Sequence, residues 1–210
     1  FPLQFSAKLE VTAHLVDRTK PYPPWLRRME LNYDHSSSKA KIIITEGFGA
    51  GKTYIRHYSD KREYMIREGE FPTCRRSYLG EAMPLPELPP MAVFQGMVKL
   101  DDEPNTLCQH WLHQSPTSRV HVFVDHVRQV PRRLVDEAVI QTSASNGGDA
   151  DVRVDQVEVV PLTTYDLLEV KIGQQEQGVF ELPQGYTTLD CDLHVGGFPY
   201  LHLFHDYLRV

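Results

Sequence analysis

At 210 residues, 41% of them apolar, the chain has the length of one large domain or two small ones and enough apolar side chains for a substantial core. Lys and Arg number 22 against 28 Asp and Glu, for a formal charge of −6, and the basic residues are scattered in pairs such as Arg27-Arg28, Arg75-Arg76 and Arg132-Arg133. That distribution speaks against a nucleic-acid partner. No window approaches the roughly 20 apolar residues that span a bilayer, so no transmembrane segment is expected and the chain reads as soluble. It opens on FPLQFSAKLEV without an initiator methionine, which reads as a processed or engineered fragment with any targeting peptide removed.

Lys8 to Leu15 alternates, placing Leu9, Val11, Ala13 and Leu15 on one face of a first strand. Pro21, Pro23 and Pro24 keep RTKPYPPWL irregular, after which Met29, Leu31 and Tyr33 line one face of a second strand. DHSSSK is a turn, and Ala40 to Thr45, dense in isoleucine, is a third strand. Thr53–Tyr58 and Glu63–Arg67 flank Ser-Asp-Lys-Arg as a hairpin, so four or five antiparallel strands precede residue 70.

From Ala82 to Pro90, AMPLPELPP holds four prolines in nine residues and cannot be a central strand or a helix interior. It is a loop, unusually apolar at Met83, Leu85 and Leu88, and it packs over the core or serves as a flap over an apolar mouth. Phe94–Leu100 and Leu107–His113 are short strands. In Arg119 to Ile140, Val120, Val122 and Val124 alternate with His121, Phe123 and Asp125; Pro131 then sits where the next strand begins, giving a hairpin with a turn of about five residues. The competing arrangement makes Pro131 the first residue of a helix. TSASNGGDAD is a surface loop, followed by strands at Val152–Val160 and Tyr165–Ile172, the stretch Val179–Tyr186, and a tail rich in large apolar groups from Phe198 to Leu208.

Chemistry is sparse. GFGAGKT at Gly47–Thr53 resembles a phosphate loop, but Glu46 stands where its first glycine is needed, and a strand rather than a helix follows. Ten histidines invite a metal site, with Cys108-x-His110-x-x-His113, Cys191-x-x-His194 and His202-x-x-His205-Asp206 as raw material. On a strand, however, positions i and i+3 face opposite ways, and no metal or other cofactor is expected. Cys108 and His110 share a parity, and His121 on a neighbouring strand can join them. There is no serine elbow or nucleophilic cysteine context, so no catalytic residue and no enzyme is expected. The three cysteines are either small buried hydrophobes, or one disulfide, Cys74 with Cys108, plus a third thiol.

Two stretches carry a family resemblance. VFVDHVRQVPRRLVDEAVI resembles the hairpin of the LolA/LppX-like superfamily of bacterial lipoprotein carriers: Asp125, Pro131 and Arg132 match, and Gln129 or Val130 stands where a glycine is common. TTYDLLEVKIGQQEQGVFELPQGY resembles that superfamily's closing strands, with Phe180, Leu182, Pro183 and Gly185 in an F-x-L-P-x-G-like pattern. Three cysteines with Gly197-Phe198-Pro199 after the last are similar to the N-terminal domain of secreted counting-factor-associated proteins, where a LolA-like domain precedes a papain-like protease. The resemblance implies a strongly curved, open antiparallel sheet around an apolar cavity that takes acyl chains in the bacterial relatives. It also favours the disulfide, and with it a secreted or endolysosomal location.

The expectation is therefore a mainly β, single-domain half-open barrel over 1–210, with short helices or loops as lid or plug and residues 182–210 packing on or plugging the sheet. Its function is to bind a lipid or other apolar ligand in the concave face, without catalysis. Wall residues are Leu9, Val11, Met29, Leu31, Ile43, Tyr54, Val122 and Val124, with Met83, Leu85 and Leu88 as flap. The alternative is a protein-interaction or pro-domain-like module with that face sealed.

Overall fold

The computed structural model describes residues 1–15, 19, 25–101, 103–144 and 154–196, and among these every long element is a strand. In chain order they are β1 (Gln4–Ala13), β2 (Leu26–Asp34), β3 (Lys39–Glu46), β4 (Lys52–His57), β5 (Arg62–Arg67) and β6 (Thr73–Tyr78), then β7 (Val93–Leu100), β8 (Glu103–Gln114), β9 (Ser118–Asp125), β10 (Pro131–Ala144), β11 (Val154–Ile172) and β12 (Asp192–Leu193). The only helical turn among the described residues is a 3-10 turn at Thr188–Asp190, so the covering segments are loops. The aromatic stretch from Phe198 onward lies outside the described residues.

All twelve strands form one sheet in the order β12-β6-β5-β4-β3-β2-β1-β11-β10-β9-β8-β7. Two antiparallel meanders, β1–β6 and β7–β11, are joined where β1 pairs with β11, Leu9 opposite Leu167 and Val11 opposite Tyr165. β12 alone runs parallel, beside Arg75 and Arg76 of β6. The sheet is not closed, and β6 and β7 lie ten strand spacings apart along it, about 48 Å if it were flat. Residues 79–92 connect them, and a fully stretched linker of that length reaches only about 54 Å. This linker turns at Leu85–Glu87 and Pro89–Ala92, so the sheet must curve to bring its ends within reach.

Period-two alternation sets the faces. Phe5, Ala7 and Leu9 of β1 stand opposite Tyr33, Leu31 and Met29 of β2, and with Ile42, Ile44, Tyr54, Met65, Val120, Val122, Val124, Leu134 and Leu167 they make the main core on what we call the inner face. On the outer face of the central strands, charge replaces apolar groups: Lys8 pairs with Glu169 at 2.7 Å, Arg28 with Glu10 at 2.8 Å and Arg133 with Asp166 at 2.5 Å. Over β4–β6 the outer face is apolar, and residues 173–196 cover it as a belt, with Leu182 and Tyr186 on Ile55, Tyr64, Ile66 and Cys74.

The Arg119–Ile140 hairpin is present, with Pro131 as the first residue of β10, opposite Val124, and no helix. Asp125 ends β9 because its Oδ1 accepts the amides of Val127 and Arg128, both at 2.9 Å, building the turn. Gln129 takes φ 54°, the left-handed conformation that a glycine at that place would favour. Elsewhere the structure departs from expectation. From Val154 on, the strands expected at Val152–Val160 and Tyr165–Ile172 are one 19-residue strand that runs through Pro161, which sits opposite Glu137 at a register shift in the ladder with β10; Val152 and Arg153 lie outside the described residues. Phe180–Tyr186 is a series of turns, closed by Glu181 N–H to Gly178 O at 3.0 Å and Tyr186 N–H to Pro183 O at 3.1 Å. Gly178 and Gly185 there hold φ 82° and 95°, which no extended strand allows.

Candidate functional site

The inner face gathers most of the wall residues named from sequence. Leu9, Met29, Leu31, Tyr54, Val122 and Val124 lie in the main core cluster, each at most 2% exposed, and Val11 packs against its rim. Ile43 does not belong with them: it pairs with Glu30 on β2, on the face of Lys8, while Ile42 and Ile44 point inward. Its place in an isoleucine run gives no parity signal, since both of its neighbours are equally apolar.

Residues 79–92 cross the inner face as a strap. Leu79 joins the core cluster, Met83 and Leu88 are half-buried against it, and Leu85 points to solvent at 49% exposure. Polar side-chain contacts hold the strap at its start, middle and far end. At its start, Arg56 of β4 donates through Nη1 to Glu81 Oε1 at 2.9 Å and through Nε to Glu63 Oε2 of β5 at 3.1 Å. In the middle, the Tyr33 hydroxyl donates to the Pro84 carbonyl. At the far end, His113 Nδ1 of β8 donates to the Pro90 carbonyl at 2.9 Å. Burial and the neighbouring Tyr58 raise the Tyr33 phenol, and burial likewise raises Tyr58, with Arg56 opposing it.

None of these anchors is among the site residues named from sequence. Parity alone could have found them: Arg56 is two residues from Tyr54, and His113 two from Trp111, so each polar group shares the face of an apolar one. A charged residue on an apolar parity signals a buried pair.

Cys74 bonds to Cys191, with Cα atoms 4.6 Å apart, and not to Cys108. Cys74 is on β6 and Cys108 on β8, nine strand spacings apart in the sheet, whereas a disulfide needs Cα atoms within about 7 Å. Proximity in sequence favours the wrong partner; the belt carries Cys191 back to β6. Cys108 is a buried thiol.

The histidines divide by face. His113 is inward. His110 is outward, its Nε2 2.8 Å from Nδ1 of His121, whose Nε2 lies 3.1 Å from Glu137 Oε2. His110 also stacks on Phe123 with ring centroids 4.6 Å apart. Among the described residues no group of three or more His, Cys, Asp or Glu is placed to hold a metal ion. Gly47–Gly51 is the turn between β3 and β4, and a Cβ at Gly47 would meet the Leu26 carbonyl oxygen at 2.6 Å, so glycine there serves close packing, with a strand rather than a phosphate-cradling helix following.

Fold and site together define a class: an open, curved antiparallel sheet whose apolar side is crossed by a tethered strap. No family model matches the chain, and no curated protein matches it. Among solved structures it is similar to an uncharacterized conserved protein from Thermus thermophilus, with a TM-score of 0.55 over 93% of this chain and 92% of that one, at 8% sequence identity. At that identity the likeness is one of fold. No helix among the described residues is long and apolar enough to cross a membrane.

Proposed function

We propose that this chain is a binding domain, not a catalyst, that takes a lipid or other apolar ligand between the inner face of its sheet and the strap. The supporting observation is the strap itself. It is a separable roof of apolar side chains, half-buried at Met83 and Leu88, fixed to the sheet through Glu81, Pro84 and Pro90. Lifting it exposes a continuous apolar surface without breaking the strand ladder, and each buried Å² on a ligand stabilises the complex by about 25 cal/mol. The hairpin's resemblance to bacterial lipoprotein carriers points the same way. The disulfide fits an oxidising compartment, and we place the protein in the secretory or endolysosomal route.

The test is native mass spectrometry of protein expressed in cells, with extraction of bound lipid, beside titration of a fluorescent fatty acid. Co-purifying acyl cargo or saturable uptake is expected. A clean unliganded mass with no uptake sinks the proposal.

A second reading rests on β7, which among the described residues has a neighbour on one side only and exposes Val93, Phe94 and Met97, with Met91 beside them at 89% exposure. Such an edge suits an extended apolar peptide added as a further strand. It predicts protein capture at β7 that Val93→Lys abolishes while fatty-acid uptake is unchanged.

A further inference from the structure

On the inner face of β8, two polar atoms are buried with no hydrogen-bonding partner among the described residues: Nε1 of Trp111 and Nε2 of His113. His113 is 7% exposed. Its Nδ1 faces the Pro90 carbonyl, which can only accept, so Nδ1 carries the hydrogen and, in the neutral ring, Nε2 offers a lone pair. The indole N–H of Trp111 can only donate. One unsatisfied donor and one unsatisfied acceptor therefore sit two residues apart on the same face of one strand, about 6.6 Å at the backbone. Buried groups of this kind each cost free energy unless something pairs with them. The surroundings are apolar: Trp111 packs on the core cluster and on Phe94, ring centroids 5.3 Å apart.

A hydroxyl group matches both atoms, because it accepts one hydrogen bond and donates another. With the His113 ring neutral, a carboxylate has no hydrogen to give it, an ammonium cannot accept from Trp111, and an ether only accepts. At the strap's other end Arg56 already holds two carboxylates, Glu63 and Glu81, so that end offers no call for an anionic head. We propose that Trp111 and His113 are the polar subsite for the hydroxyl of a neutral amphiphile, a long-chain or polycyclic alcohol, whose hydrocarbon body lies along the inner face beneath the strap. Trp111 Nε1–H donates to the hydroxyl oxygen, and the hydroxyl donates to His113 Nε2. This rests on the apolar-ligand function proposed above and narrows its ligand class.

The test is a cycle of ligands against variants. 1-Dodecanol, its methyl ether and dodecane compete with a fluorescent fatty acid for the whole chain, and each affinity is compared between wild type and variant so that water solubility cancels. In His113→Phe the alcohol-to-ether affinity ratio falls about tenfold, the scale of one buried hydrogen bond, and in His113→Gln, which keeps an acceptor, it is largely restored. In Trp111→Phe alcohol and ether both lose about tenfold relative to dodecane. Loosening of the strap, in contrast, shifts all three ligands together. Ratios unchanged in Trp111→Phe and His113→Phe mean that a water bridges the two nitrogens and overturn the subsite, leaving the apolar-ligand function standing. No competition by any of the three, together with no uptake of the fluorescent fatty acid, overturns both. The Trp111→Phe arm stands alone if His113→Phe fails to fold.

Discussion

His110, His121 and Glu137 form a directional chain on the outer face. If Glu137 Oε2 accepts from His121 Nε2–H, then His121 Nδ1 is an acceptor and takes the Nε2–H of His110. Burial, and then the adjacent His121, hold His110 below the ordinary imidazole range. The folded state therefore binds fewer protons than the unfolded chain, and this contribution to stability, full above about pH 6.5, is lost as pH falls from there through the folded value. Chemical denaturation at about pH 7.5 and about pH 5.5 is expected to show a lower midpoint at the acid end, and His110→Phe to reduce that difference. Asp34 acts in a separate window. Burial alone would raise its carboxyl, but hydrogen bonds from the Gln4 side chain and from Ser37 and Ser36 together hold it low, so its contribution is lost only as pH falls below about 4. Asp34→Asn should remove the acid step and leave the histidine step in place.

The strap depends on a few polar contacts made by strands. Arg56 is 1% exposed and so is Glu63, and removing the cation takes a charged partner from a buried carboxylate. Arg56→Met is therefore expected to cost about 3–5 kcal/mol, read by denaturant unfolding. Glu81→Gln keeps an acceptor for Arg56 and costs about 1 kcal/mol. Its clearer signature is local, faster amide hydrogen exchange in residues 79–92 with β1 and β2 unchanged. Strand β1 and the β9–β10 hairpin are legible in the sequence because one face is apolar and the other polar, so alternation is unambiguous. Strand β6 is not: TCRRSY buries only Cys74 and Ser77 and has no apolar period. Strand β11 reads as two because Pro161 looks like a stop, and nothing local reveals the register shift opposite it that absorbs the proline. The strap's character is legible from its prolines. Parity puts its anchoring side chains on the apolar face, but which loop groups they hold is not legible, because the partners of Arg56, Tyr33 and His113 lie 23 to 51 residues away from them in the loop.

Across the whole molecule, the sheet is covered unequally. The outer face of β1, β2 and β11 is charged and needs no cover, but Ile55, Tyr64 and Ile66 at the other end are 0–3% exposed only because the belt lies on them. The belt leaves β11 beside β1 and crosses β2 to β6, touching Asn32 through Gln175, His57 through the Phe180 carbonyl and Tyr64 through Thr188. Each of these contacts is a single hydrogen bond of about 1 kcal/mol, and the belt is held besides by Leu182 and Tyr186 packed on the outer face, by the β12–β6 ladder and by the disulfide at its far end. Cys74–Cys191 closes a loop of 117 residues, which in the chain-entropy account is worth on the order of 3–5 kcal/mol. Cys74→Ala with Cys191→Ala is expected to lower unfolding stability by about that amount and to increase proteolysis within residues 173–196, which peptide mapping reads directly. The belt and the strap lie on opposite faces, so uptake of an apolar ligand should survive in the double variant at temperatures where it stays folded. Loss of uptake there would mean that the curvature of the inner face is set by the belt's grip on β6.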